Sequence, residues 1–163
     1  MHNDRERQVA ASRVRRLREL VILLDEAAAV QPLADEVVAA CGEPQPVPPG
    51  LFRAGGSLQV TFYRLRSRLD ELSLDEDLDD LREQARCLLL YHQWMLREAL
   101  AATSAVGRPR VPERGVRING LGAPANRLRL LRDEIGRLAD ASARRLRVPE
   151  PPDDEEPPEI LSW

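Results

Sequence analysis

Residues 58–102, LQVTFYRLRSRLDELSLDEDLDDLREQARCLLLYHQWMLREALAA, decide the fold. Leu58, Phe62, Leu65, Leu69 and Leu72 recur at alternating spacings of four and three, which puts them on one face of a helix. Leu74, Leu78, Leu81, Ala85, Leu88, His92, Met95, Ala99 and Ala102 then carry the same period through a longer helix ending near Val106-Gly107. Between the two lies Ser73-Leu74-Asp75-Glu76, which reads as a capping box, the Ser bonding forward and the Glu reaching back. A helix start placed directly behind a helix end leaves almost no loop. The stretch therefore predicts a tight antiparallel hairpin rather than one kinked rod.

Upstream, Asn3 can cap a helix beginning at Asp4, with Val14, Leu17, Val21, Leu24 and Ala28 as its apolar seam. Pro32 should break or kink that helix, because it removes a donor and clashes one turn back. A second short piece, Leu33 to Cys41, would follow and end at Gly42. Glu43 to Gly56, with its four prolines and three glycines, reads as an irregular connection from which Leu51-Phe52 tucks onto the core. Ser57 is the expected cap of the helix beyond it.

Downstream, Gly107 to Gly122 reads as another long connection, and Pro124 opens a last helix with Leu128, Leu131, Ile135, Leu138, Ser142 and Leu146 on one face. Leu and Ala are strong helix formers, and they dominate the apolar residues here while aromatics are few. The expected fold is all-α: an irregular four-helix bundle with Pro/Gly-rich loops. It spans residues 1–147, and residues 148–163 form a disordered acidic C-terminal tail.

A formal net charge of −3 conceals strong segregation. Residues 1–18 carry six Arg against two acids, residues 19–107 seven against fifteen, and residues 108–147 eleven against four. The tail has six acids and no Arg. The simplest arrangement sets basic helices beside acidic ones, so that much of the field cancels inside the molecule. All 24 basic residues are Arg, which reads first as the codon bias of a GC-rich, bacterial type of genome. The first residues, MHNDRER, lack the apolar core of a signal peptide, and no apolar run is long enough to span a bilayer. A cytoplasmic protein is expected, with Cys41 and Cys87 as buried free thiols.

Catalytic and cofactor patterns fail one by one. Gly120-Leu121-Gly122-Ala123-Pro124-Ala125 matches GxGxx[GA], but no strand–helix–strand unit surrounds it, so it reads as a glycine-rich helix entry. The acidic run Asp75 to Asp80 lacks the Gly at position six and Glu at position twelve of a calcium loop, and reads as a negative helix start facing Arg side chains. His92 has Leu88, Leu89, Met95 and Leu96 as helical neighbours, which marks a core histidine with satisfied hydrogen bonds rather than a general base. No enzyme activity, cofactor or metal is expected.

Two functional readings follow from different classes. In the first, the chain is a non-enzymatic interaction or regulatory protein of adaptor type. Its helix faces and the terminal Glu159, Ile160, Leu161 and Trp163 contact a protein partner. In the second, Arg108, Arg110, Arg114 and Arg117, with free amides near Ala125, bind an anion such as nucleic acid or a phosphorylated ligand. A pI of 5.5 and the lack of stacking aromatics among the Arg residues weigh against nucleic acid. The tail itself admits three readings: an inert solubilising end, a linear motif, or an arm that docks on the Arg-rich helices. Homodimerisation through an apolar seam stays open.

Overall fold

The computed structural model describes residues 2–104 and 120–147. Four helices account for nearly all of them: α1 (His2–Gly42), α2 (Pro49–Glu71), α3 (Asp79–Ser104) and α4 (Ala123–Arg147). The expected all-α four-helix bundle is what the chain forms. Cross-helix contacts give its topology. Gly55 faces Leu100 and Phe62 stacks on His92, so α2 and α3 run antiparallel as the hairpin reading required. Arg132 reaches Asp25, and Gln31 reaches Ala125, so α4 runs antiparallel to α1. α1 and α3 touch across the bundle, with α2 and α4 on either side of that contact. The order is up, down, up, down.

Pro32 does not break α1, which runs unbroken for 41 residues. An interior proline costs about 3 kcal/mol. Here its ring faces solvent, while Ala27 and Gln31 before it and Ala34, Val37 and Val38 after it are all buried. Burying a Val-sized side chain contributes roughly 1.5–3 kcal/mol, so the packing of the last two turns outweighs the missing hydrogen bond. The buried stripe is also wider than the expected seam. It includes Leu20, Leu23 and Ala27, while Val21 and Ala28 sit at its half-buried edge.

The connection before α2 is shorter than expected. The helix begins at Pro49 rather than at Ser57, and Phe52 N–H closes its first turn on Pro48 C=O at 3.0 Å. Proline at a first helical position gives up a donor that would be unpaired anyway, and its φ suits the helix. Gly55 then becomes a contact residue: a Cβ placed there would lie 2.9 Å from both Leu100 Cδ1 and Val37 Cγ1. A residue type that suggests a loop instead lets three helices approach closely. Leu51 packs against the core, as expected, but Phe52 is largely exposed.

The capping box between α2 and α3 is not formed. A single 3-10 turn, Glu76–Leu78, intervenes, and Asp75 makes no side-chain cap. Asp75 pairs instead with Arg16, while Asp77 accepts a 2.8 Å bond from Arg13. Leu78 is driven into the core, and Arg82 donates to Leu72 C=O, an orphan carbonyl at the end of α2. In α4 the buried row is Ala125, Leu128, Leu131, Ile135 and Ala139; Leu138 lies on the exposed flank.

Candidate functional site

Three places carry polar or unpartnered chemistry: the interior around His92, the entry to α4, and the outer face of α1 against the end of α4. His92 is fully enclosed, with its Nδ1 2.6 Å from Leu88 C=O and its Nε2 2.9 Å from Gln31 Nε2. A carbonyl accepts only, so Nδ1 carries the proton and Nε2 accepts from the Gln31 amide. The same amide nitrogen donates to Ala125 C=O at 3.0 Å. One chain of bonds therefore ties α3 to α1 and α1 to α4. Gln31 Oε1 is buried without a partner among the described residues.

Phe62 stacks on the imidazole with ring centroids 5.0 Å apart, and Tyr91 meets it edge-on. Burial lowers the His92 pKa, with the bond to Leu88 opposing the shift. A histidine sealed this way cannot reach a substrate. The core reading of His92 holds, with one addition that its sequence neighbours do not reveal: its partner lies 61 residues away, on α1.

The glycine motif opens α4 as expected, and the carboxylate it binds belongs to the chain. Gly120 and Gly122 have φ of +96° and +68°, the left-handed region that favours glycine. Between them Leu121 is buried, its N–H donating to Asp35 Oδ1 at 2.7 Å and its C=O accepting from Tyr91 Oη at 3.3 Å. A side chain at Gly120 would overlap the Asp35 carboxylate. Ala125 N–H bonds to Gly122 C=O. That amide is not free, as the anion reading had it. Arg108, Arg110, Arg114 and Arg117 lie outside the described residues. The same holds for Glu159, Ile160, Leu161 and Trp163, and for the tail's expected disorder.

Charge segregation resolves into pairs between helices. Arg13 and Arg16 hold the acidic turn at Asp75 and Asp77, Arg68 holds Glu26, and Arg132 reaches Asp25 at 3.5 Å. The carboxyl of Asp77 is held below its usual range by Arg13, chiefly through their hydrogen bond. The acidic run thus faces Arg side chains, as its sequence suggested. No group of three or more His, Cys, Asp or Glu among the described residues is placed to hold a metal ion. None of the described helices is long and apolar enough to cross a membrane.

The outer surface retains apolar residues that the core does not use. On α3, Leu90 and Trp94 stand one turn apart and are 42% and 47% exposed, with Tyr91 beside Trp94 at 6.2 Å between rings. Cys87 extends the same row and is exposed, not buried as expected; Cys41 is half-buried. Between α1 and α4 runs an open groove of about 450 Å³, with Val14, Ile22, Ala143 and Leu146 as its apolar lining. Arg15, Arg18 and Arg147 edge it, together with Glu19. The sequence places Ile22 beside the α1 seam without showing that a groove forms there. The chain matches no protein-family model, no curated protein and no solved structure.

Proposed function

We propose that this chain is a non-enzymatic interaction or regulatory protein of adaptor type. It meets a protein partner through a helix face and through the terminal Glu159, Ile160, Leu161 and Trp163. The observation that carries the reading is the exposed Leu90–Trp94 ridge on α3. Solvent exposure of a Leu and a Trp on one helical row leaves apolar area uncovered, and Trp and Tyr are the residues that most often anchor protein interfaces. The polar groups near the helix junction support the same reading from the other side. Buried His92 and Gln31 join α3, α1 and α4, and exposed Asp35 holds the turn that leads into α4.

The acids of the tail would steer Ile160, Leu161 and Trp163 towards a basic partner surface, a contribution felt mainly in the association rate. A quantitative pull-down comparing the full chain, the chain ending at Val148 and the full chain with Leu90→Asp and Trp94→Asp tests this. Loss of the same partners from both variants, with helicity retained, is the expected result. Equal recovery by all three forms removes the reading. Binding to nucleic acid that falls steeply with salt would instead favour an anion-binding module.

A further inference from the structure

The groove between α1 and α4 lies where the described chain ends: Leu146 and Arg147, the last residues of α4, form part of its wall. Ile22 is 55% exposed in it, although it flanks the buried Leu23 and Leu24. The Arg side chains along this edge differ in use from their neighbours on α1. Arg13 and Arg16 are spent on Asp75 and Asp77, whereas no acid among the described residues engages Arg15, Arg18 or Arg147. Arg144 and Arg145 extend the positive end of the same helix. Glu19 is the single acid on the rim among the described residues.

We propose that residues 148–163 of the same chain occupy this groove, with Ile160, Leu161 and Trp163 against Ile22 and Val14 and the tail's acids along Arg15, Arg18 and Arg147. Charge, length and tethering all point to this occupant. The segment has six acids and no base, and it ends in large apolar residues that match the apolar lining of the groove. A smaller hollow lined by Gln8, Ser12 and Arg15 continues the groove along α1, so the cleft follows residues 8–22, roughly 20 Å at 1.5 Å per residue. Sixteen proline-rich residues reach up to about 50 Å at 3.1 Å each, enough to turn back from Arg147 and run the length of the cleft. A tether that short holds its end at an effective concentration on the order of millimolar, so weak contacts suffice for occupancy.

In the free protein the tail then covers Ile22 with its own Trp163, and a partner that takes the tail must first draw it out. This extends the reading above, yet it is tested within the chain and needs no partner. Its failure therefore leaves that reading standing, and the reverse is also true.

The test uses the full chain carrying Trp163→p-benzoylphenylalanine, irradiated and mapped by mass spectrometry. Cross-links should fall on α1 between residues 11 and 22 and on the last turns of α4, with a yield that does not change on dilution. Arg15→Glu with Arg18→Glu should lower that yield by about threefold to tenfold, the range expected for reversing two solvent-exposed charge contacts. Both side chains are exposed, so the fold survives the change. As a second readout in the otherwise native chain, the Ile22 methyl resonances should shift when Trp163→Ala removes the indole ring. Cross-links elsewhere, or none, overturn the proposal. Links between two chains whose yield rises with concentration overturn it in favour of a second copy, and a yield indifferent to the Arg changes overturns the charge pairing.

Discussion

Gln31 on α1 and His92 on α3 meet side chain to side chain, 2.9 Å apart, where neither is open to solvent. Two polar groups in a Leu-rich interior are costly unless they are hydrogen-bonded; His92 is bonded at both ring nitrogens and Gln31 through its amide nitrogen, at the point where α1, α3 and α4 converge. Removing one partner leaves the other buried and unpaired. Gln31→Leu and His92→Leu should each destabilise the fold by about 1–3 kcal/mol, whereas the double variant should cost clearly less than the two together. Urea denaturation of the four forms gives the coupling. Additive losses would show that the two side chains do not act as a unit.

The same burial makes stability depend on pH through His92. Its folded pKa lies below the ordinary 6.5 because burial disfavours the imidazolium. Below that value the unfolded chain takes up a proton that the folded chain resists, so stability is full above it and declines as the pH falls towards the folded value. Glu83 shifts in the same direction for a different reason. Arg86 first, and then the Cys87 thiol, hold its carboxyl down to about 2, so any contribution it makes is lost only as the pH falls from the ordinary carboxylate value towards 2, below the histidine window. The urea midpoint should therefore drop between about pH 8 and about pH 5.5, a window that belongs to histidine. His92→Leu should flatten that slope, and a slope unchanged in the variant would assign it elsewhere.

Most of this architecture is legible from the spacing of Leu and Ala alone, because burying one face of each helix is its largest favourable contribution. The departures have local causes. Pro32 and Gly55 carry signals for chain breaks, yet both lie in helices whose tertiary packing exceeds their intrinsic penalties. The capping box is displaced because a 3-10 turn starts at Glu76 with Asp75, not Ser73, at its cap position, and Arg16 holds Asp75 there through a pairing between residues 59 apart that no local pattern encodes. The Gln31–His92 contact and the α1/α4 groove are hidden for the same reason. They depend on which faces meet, and helical period does not specify that.

Gly55 and Gly56 make adjacent positions with opposite expected outcomes. Alanine is favoured over glycine within a helix by roughly 0.5–1 kcal/mol. Gly56 has open space around it, so Gly56→Ala should raise the melting temperature. At Gly55 the new methyl would press on Leu100 and on the stiff Val37 at once. Overpacking of this kind costs about 1–3 kcal/mol, so Gly55→Ala should lower the melting temperature despite the better helix former. Thermal unfolding followed by circular dichroism decides it, and a shift of the same sign at both sites would contradict the close approach of α2 to its neighbours.

Gly120 and Gly122 share a left-handed backbone but differ in what stands beside them. At Gly122 an added Cβ meets nothing, so Gly122→Ala carries only the conformational penalty, about 1–2 kcal/mol. At Gly120 it would also displace the Asp35 carboxylate from Leu121 N–H. Gly120→Ala should be the more damaging of the two, and Asp35→Ala should narrow the gap between them by removing the obstacle. If the gap persists with Asp35→Ala, the carboxylate is not what constrains the turn.

Cys87 is exposed but poorly suited to form a thiolate. Its thiol lies 3.4 Å from a carboxylate oxygen of Glu83, one turn earlier on α3. That hydrogen bond is the main reason its pKa is raised above 9.0, with desolvation and the Glu83 charge adding to it and Arg86 opposing. Only the thiolate attacks an alkylating reagent, so the rate follows the small ionised fraction. Near neutral pH, Glu83→Gln should speed iodoacetamide labelling of Cys87 by about threefold or more, since it removes the negative charge that disfavours a second one. Cys41 provides the internal comparison. Burial is what raises its pKa, with the neighbouring Thr103 hydroxyl opposing, and Glu83 plays no part. Its labelling rate should stay the same in both proteins. Equal acceleration at both thiols would mean that the substitution loosened the bundle and not that it freed Cys87.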